Sequence, residues 1–187
     1  EGSKAFMKNI CKKNNIPTAN FGVFNNLNEA EIFIKKIGAP IVVKADGLAA
    51  GKGVSICKSI EEAKIKTQEI LNGKFKSSRK VVLEEFLQGE ELSYFVIVDE
   101  NSYHFFGSAQ DHKRVGEGDI GPNTGGMGAY SPAKILTSNL ENKIKNKIIE
   151  PTIKALKIHG HPYKGILYAG LMINNKEPYL IEYNIRM

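Results

Sequence analysis

The amino-acid sequence predicts an α+β protein in two lobes, residues 1–86 and 87–187, each a mainly antiparallel sheet with packed helices. Three observations lead there. Helix-like and strand-like segments alternate, with clear capping and turn residues between them. Short strands on either side of residues 46–52 flank a tight glycine-rich loop. Beyond Phe86 the pattern changes to longer paired strands around one extended loop.

The elements follow in order. Ser3 is placed to cap a helix running to Lys13, with Phe6, Ile10 and Cys11 on one face. Asn26-Leu27-Asn28-Glu29 has the form of a capping box, and the helix it opens should stop at Gly38. Pro40 to Ala45 reads as an apolar strand and Gly53 to Cys57 as another, while Ser59-Ile60-Glu61-Glu62 caps a third helix closed by Gly73. Lys80 to Leu87 reads as a strand and its exit. Glu90–Asp99 and Ser102–Ser108 form a hairpin turning at Glu100-Asn101. The loop from Gln110 to Pro132 is long enough to imply a functional role. Thr137 or Ser138 caps a helix to Ile149, which Pro151 kinks or restarts and Gly160 ends. Gly165–Ile173 and Pro178–Asn184 pair across Asn174-Asn175-Lys176, and there is no internal repeat or low-complexity tract.

The densest chemical signal is Lys44-Ala45-Asp46-Gly47-Leu48-Ala49-Ala50-Gly51-Lys52-Gly53-Val54. Small residues let backbone N–H groups approach a polyphosphate, and the flanking ammonium groups supply positive charge, so the segment points to ATP. A Walker A loop does not fit. Counting back from Gly51 puts Asp46 where the first glycine belongs, and Gly53 follows Lys52 where a metal-binding hydroxyl belongs. Strand-like alternation follows the loop, where a Walker A loop opens a helix. The loop therefore joins two strands, and a divalent cation must be held elsewhere.

Composition excludes several classes. The longest nearly uncharged apolar stretch, Gly165 to Ile173, is far short of the ~20 residues that span a bilayer. Glu1-Gly2-Ser3-Lys4 lacks the order of a signal peptide. Cys11 and Cys57 have neither metal-ligand spacing nor a disulfide framework, so a reduced, cytoplasmic setting is expected. The net charge of +6 raises the question of nucleic acid. Arginines account for only Arg79, Arg114 and Arg186 among 26 basic residues, and the lysines are scattered without interleaved aromatics. A lysine-rich surface, with no nucleic-acid or membrane partner, is the expectation. His112, His159 and His161 suggest neither a metal site nor a nucleophile.

With these pieces placed, the chain resembles the ATP-grasp part of the phosphoribosylamine–glycine ligase (glycinamide ribonucleotide synthetase) family. The resemblance runs from Gly2-Ser3-Lys4-Ala5-Phe6 and Ile16-Pro17-Thr18-Ala19, through Lys44–Val54, Glu84-Glu85-Phe86-Leu87 and Gly89-Glu90-Glu91, to Leu167–Met172 and Ile181–Arg186. The glycine-rich loop alone indicates only the superfamily. Gln110-Asp111-His112-Lys113-Arg114 and Gly121–Pro132 are much more specific.

The resemblance implies a nucleotide held between two lobes. It puts Lys44 at the α-phosphate, and Lys52 with the backbone of Gly51 and Gly53 over the β- and γ-phosphates. It implies that Glu84, Glu85, Phe86 and Leu87 meet the adenine edge through their backbone, so that their side chains matter less, and that Glu91 accepts from the ribose hydroxyls. Glu182 and Asn184, two apart on a strand, face one side and would offer oxygens to Mg²⁺ or Mn²⁺. No acid on the Tyr168–Ile173 run supplies a third ligand. Arg186 and Lys52 are the implied catalytic groups, stabilising the transferred phosphoryl group. For glycine and 5-phosphoribosylamine, the resemblance points to Asp111, Asn123, Thr124, Gly125 and Gly126.

The implied reaction is ligation of glycine to 5-phosphoribosylamine through a glycyl phosphate, with release of ADP and phosphate. The family motif that starts at Glu182 continues beyond Arg186, where this chain has Met187, and the family's flanking domains are not in this sequence. The chain is thus expected to bind MgATP without completing the reaction alone. A non-catalytic nucleotide-binding regulatory module and another ATP-grasp carboxylate–amine ligase are the alternatives.

Overall fold

A computed structural model gives the fold, with residues 2–47, 49, 53–75, 79–112, 114–117, 120–124 and 127–186 described. The chain divides into two compact units. One comprises residues 1–13 and 18–87, the other residues 14–17 and 88–187. Relative to the expected lobes, residues 14–17 join the second unit, where the Leu180 amide donates to the Pro17 carbonyl at 2.8 Å.

In the first unit, strands β1 (Phe21–Phe24), β2 (Ile41–Ala45), β3 (Val54–Cys57) and β4 (Val81–Glu85) form an antiparallel sheet in the order β1-β4-β2-β3. Helices α2 (Leu27–Ile37) and α3 (Ile60–Leu71) cover one face. There Ala30, Ile34, Ile41, Val43, Ala45, Cys57, Ala63, Ile70, Val81 and Leu83 make the core. The caps are the expected ones: Asn26 Oδ1 accepts from the Glu29 amide at 3.0 Å, and Ser59 Oγ from the Glu62 amide at 3.1 Å. Sequence reading passed over β1. All four of its residues are half-buried, so it lacks alternation, and Gly22 in its middle weakens the strand signal.

Helix α1 (Lys4–Lys13) is anchored by the residue that follows β2. Ser3 Oγ accepts from the Phe6 amide at 3.0 Å and donates to Asp46 Oδ1 at 3.0 Å, and the Ala5 amide donates to the same carboxylate at 3.1 Å. Asp46 thus places negative charge at the helix N-terminus, where the dipole favours it. The face of α1 differs from expectation. Ala5, Lys8, Ile10 and Cys11 are buried, whereas Phe6 is 47% exposed, and Lys8 takes the inner position because Glu84 and Thr18 receive its ammonium group.

In the second unit, β5 (Glu90–Asp99), β6 (Ser102–Ala109), β9 (Lys164–Asn174) and β10 (Glu177–Arg186) form an antiparallel sheet in the order β10-β9-β5-β6. On β5, Leu92, Tyr94, Val96 and Val98 are buried while Glu91, Ser93 and Phe95 are half-buried, so the sheet has a closed face and a more open one. The closed face meets helical residues 138–158, as shown by Tyr183 Oη on β10, 2.7 Å from Thr152 Oγ1. That helical stretch is α4 (Ser138–Ile144), a π-helical turn (Lys145–Ile149) and α5 (Glu150–Ile158). Pro151 begins α5, and the widened turn lets the helix continue past the missing proline N–H. The long loop is more ordered than its composition suggests. It contains a small hairpin, β7 (Arg114–Gly116) with β8 (Ile120–Asn123), and Gln110 and Tyr130 exchange both backbone hydrogen bonds. Among the described residues no helix is long and apolar enough to cross a membrane.

Candidate functional site

In the first unit the site residues sit on the sheet face opposite α2 and α3. Strands β2 and β4 pair with Lys44 opposite Val82 and Val42 opposite Glu84, so these four share a face. Pairing adds Phe21 from β1 and Val54 and Ile56 from β3 to the same face. Val54 and Ile56 are 44% and 48% exposed, an apolar surface beside buried charge.

Lys44, Glu84 and Lys8 of α1 form that charge cluster. Lys8 is completely enclosed, with Nζ 2.8 Å from Glu84 Oε2, 2.6 Å from Thr18 Oγ1 and 5.7 Å from the Phe21 ring centroid. Lys44 Nζ lies 3.0 Å from Glu84 Oε1, but off the line of a hydrogen bond, so Oε1 is buried without one. Burial pushes the Lys8 pKa down, Glu84 opposes that shift and Lys44 adds to it.

These contacts give the Glu84 side chain a packing role that the sequence does not announce. The Glu84 carboxylate sits at the centre of a sheet, where an unpaired charge is costly, and it meets two lysines there. The Glu85 amide donates to the Asn20 carbonyl at 2.9 Å and its carboxylate accepts from the Asn20 amide at 2.8 Å, closing the β1–β4 edge. Phe86 and Leu87 are half-buried just past the strand.

The loop beyond Lys44 is held at both described ends. The Ala45 amide donates to Gly53 O at 2.7 Å, and Lys4 Nζ to Gly47 O at 2.9 Å. A Cβ at Gly53 would lie 2.5 Å from Ala49 Cβ, so no side chain fits there. Gly51 and Lys52 lie outside the described residues.

In the second unit the polar candidates collect on the open face. Asn184 Nδ2 donates to Glu182 Oε1 at 3.3 Å, so the two side chains share a side as expected. They stand opposite Tyr168 and Gly170 of β9, which pair in turn with Phe95 and Ser93 of β5. Glu91, opposite Met172, belongs to the same row and is half-buried.

A bulge makes this possible. Leu180 pairs with Leu171 and Glu182 with the adjacent Gly170, leaving Ile181 as the extra residue. Strict alternation would put Leu180 and Glu182 on one face. With the bulge, Leu180 is fully buried while Glu182 turns to the open face. A carboxylate and an amide side by side offer two oxygens once the Asn184 amide turns over, and that donor set fits a hard divalent cation. Among the described residues no group of three His, Cys, Asp or Glu side chains could enclose a metal.

Of the loop candidates, Thr124 lines an open depression of about 630 Å³, together with His112, Val115, Gly116, Glu117, Met127 and Gly128. Tyr130 Oη donates to Gln110 Oε1 at 2.5 Å, and Thr124 Oγ1 donates to His112 O at 2.7 Å, so the loop is tied across its base. Asp111 is half-buried. Gly125, Gly126 and the side chains of Asn123 and Arg186 lie outside what is described. Sequence reading missed Lys8 and the role of Asp46. The Ala5–Lys8–Cys11 spacing of a helix face was the available signal for Lys8.

Comparison with known proteins identifies the family. The curated phosphoribosylamine–glycine ligase of Mesorhizobium japonicum is 52% identical over 187 residues, covering all of this chain and 44% of that protein. The chloroplastic phosphoribosylamine–glycine ligase of Arabidopsis thaliana is 53% identical over 190 residues, covering all of this chain and 36% of that protein. The chain therefore spans less than half the length of these relatives. The crystal structure of phosphoribosylamine–glycine ligase from Thermotoga maritima superposes with a TM-score of 0.90 at 40% identity, covering all of this chain and 48% of that one. The family model for the phosphoribosylglycinamide synthetase ATP-grasp (A) domain matches residues 2–187. An α+β chain of antiparallel sheets and packed helices, with a buried lysine cluster on one sheet and a paired carboxylate and amide on the other, thus belongs to the phosphoribosylglycinamide synthetase ATP-grasp domain family.

Proposed function

We propose that this chain is the nucleotide-binding part of a ligase that joins glycine to 5-phosphoribosylamine at the expense of ATP, in purine biosynthesis. The observation that carries the reading is Lys44, buried beside Glu84 on a sheet face that also carries Val42, Val54 and Ile56, at the mouth of a glycine-rich loop. On that face the apolar surface of Val42, Val54 and Ile56 supports the adenine ring. Lys44 and Lys52 meet the phosphates, and the backbone of Gly51 and Gly53 lies close against them. The backbone of residues 84–87 meets the adenine edge, and Glu91 meets the ribose.

In the second unit Glu182 and Asn184 hold Mg²⁺, or Mn²⁺ in its place. Bound there, the cation would supply positive charge against the phosphates. A free carboxylate is a poor acyl electrophile, so the γ-phosphoryl group passes first to glycine. The amine of 5-phosphoribosylamine then attacks the glycyl phosphate and displaces phosphate, giving glycinamide ribonucleotide. Lys52 and Arg186 stabilise the transferred group. Asp111 receives the glycine ammonium, while Asn123, Thr124 and the backbone of Gly125 and Gly126 bind carboxylate or phosphate oxygens. Flanking parts of the longer protein complete the phosphoribosylamine site, so the 187-residue chain binds MgATP without turning over, in a reducing compartment.

The test is ADP release by the longer protein, measured with glycine and 5-phosphoribosylamine present or omitted one at a time. Release that requires both, and that falls sharply in Lys52→Ala, supports the reading. Nucleotide binding with no glycine-dependent ADP would indicate a regulatory module.

A further inference from the structure

The lysine cluster of the first unit carries an unbalanced charge. Two ammonium groups, Lys8 and Lys44, face one carboxylate, Glu84, leaving one positive charge over. Asp46 does not offset it in this geometry, since its oxygens accept from Ser3 Oγ and the Ala5 amide on α1. The three groups are not equivalent. Lys8 is fully enclosed and already donates to Thr18 and Glu84, so its charge is committed. Lys44 is 6% exposed and touches Glu84 only outside hydrogen-bonding geometry, so the surplus lies at its ammonium.

We propose that Glu84 and Lys8 are positioning residues for Lys44: Glu84 steers the ammonium, while Lys8, held on the other carboxylate oxygen, offsets the Glu84 charge and leaves Lys44 positive toward a nucleotide phosphate. The inference rests on the nucleotide reading above and deepens it. Without Lys8, the undivided Glu84 charge would hold Lys44 as a closed ion pair, and a phosphate would have to compete for it. Without Glu84, two buried like charges would repel and Lys44 would lose its steering group. Removing both restores a single positive charge at Lys44. The inference therefore predicts a rescue that a merely structural pair would not show.

The experiment titrates the 187-residue chain with MgADP by calorimetry and with adenosine by NMR, comparing wild type with Lys8→Met, Glu84→Gln, the double variant and Lys44→Ala. The single variants should bind MgADP about tenfold more weakly, the size of one charge-assisted contact. Adenosine affinity should not move, because the effect is confined to phosphate. The double variant should return to within about threefold of wild type. A folded double variant that binds MgADP no better than Lys8→Met overturns the proposal, as does adenosine affinity falling in step with MgADP. If the single variants do not fold, the double variant alone decides. Weak binding by Lys44→Ala with unaffected Lys8→Met refutes only the positioning role, whereas wild-type binding by Lys44→Ala removes the nucleotide reading of this face as well.

Discussion

Gly89, two residues before Glu91, offers a sharp test of how the open face of the second sheet is positioned. Its φ is +148°, and a Cβ built there would lie 2.2 Å from the Ile173 carbonyl oxygen. That neighbour is backbone, and the β5–β9 ladder begins there with Glu90 opposite Ile173, so it cannot turn aside as a side chain would. Gly38 is the natural control. Its φ is +81°, yet an added Cβ meets nothing within 4 Å. Gly38→Ala should therefore cost only backbone strain, about 1 kcal/mol, whereas Gly89→Ala adds the loss of the first ladder contacts for about 3–5 kcal/mol in all. For a chain of this size, that separates the two melting temperatures by about 10 °C. Thermal unfolding followed by circular dichroism reads the difference directly. Melting of the two variants within about 2 °C of each other would refute the steric argument.

Three further outcomes follow from the same geometry. Glu182→Ala and Asn184→Ala should each abolish most of the Mg²⁺-dependent gain in ADP affinity while leaving metal-free ADP binding in place, about tenfold or more by paired titrations with and without metal. Tyr183→Phe removes the hydroxyl that meets buried Thr152 at 2.7 Å and should cost about 1 kcal/mol in urea unfolding, with no change in nucleotide affinity. Burial pushes the Cys11 thiol up to about 12 and the Cys57 thiol up to about 11, so both stay protonated in the fold after unfolded thiols, near 9.0, have ionised. Their contribution is intact below pH 9 and is lost as pH rises through the folded values, by about 2 kcal/mol each at pH 10.5. Lys8, depressed by burial, works in the opposite direction. Comparing wild type with Cys11→Ala/Cys57→Ala from pH 8 to 10.5 isolates the thiols, and identical pH slopes would contradict their assignment.

Local rules account for what was legible in the sequence. Asn26, Ser59 and Thr137 cap the helices they precede, since a short side chain before a helical period has one obvious use. The glycine-rich loop was legible because Gly47 and Gly53 each satisfy a backbone demand, a positive φ at one and an excluded side chain at the other. What escaped was long-range. Lys8 reads as a solvated helix lysine, and only Glu84 and Thr18, brought to it by folding, make its burial tolerable. The side-chain role of Glu84 escaped for the same reason. Strand β1 was hidden because half-burial on both sides erases the alternation that marks a strand.

The case of Glu182 and Asn184 is different, because the sequence anticipates their shared facing without the feature that sets it. Two residues apart on a strand do share a side, but alternation alone would also put Leu180 there, an apolar side chain in the polar row. The extra residue at Ile181 breaks the parity between Leu180 and Glu182, so one strand serves the core at its start and the open face at its end. Deleting Ile181 would leave Leu180 and Glu182 adjacent, opposite the adjacent Leu171 and Gly170, a regular ladder with both facings unchanged. Metal-dependent ADP binding should therefore survive that deletion. A substitution that keeps Ile181 but removes the Glu182 carboxylate should not be tolerated in the same assay. If the deletion abolished binding as completely as Glu182→Ala, the bulge would be setting local geometry beyond parity, and the facing argument would be insufficient.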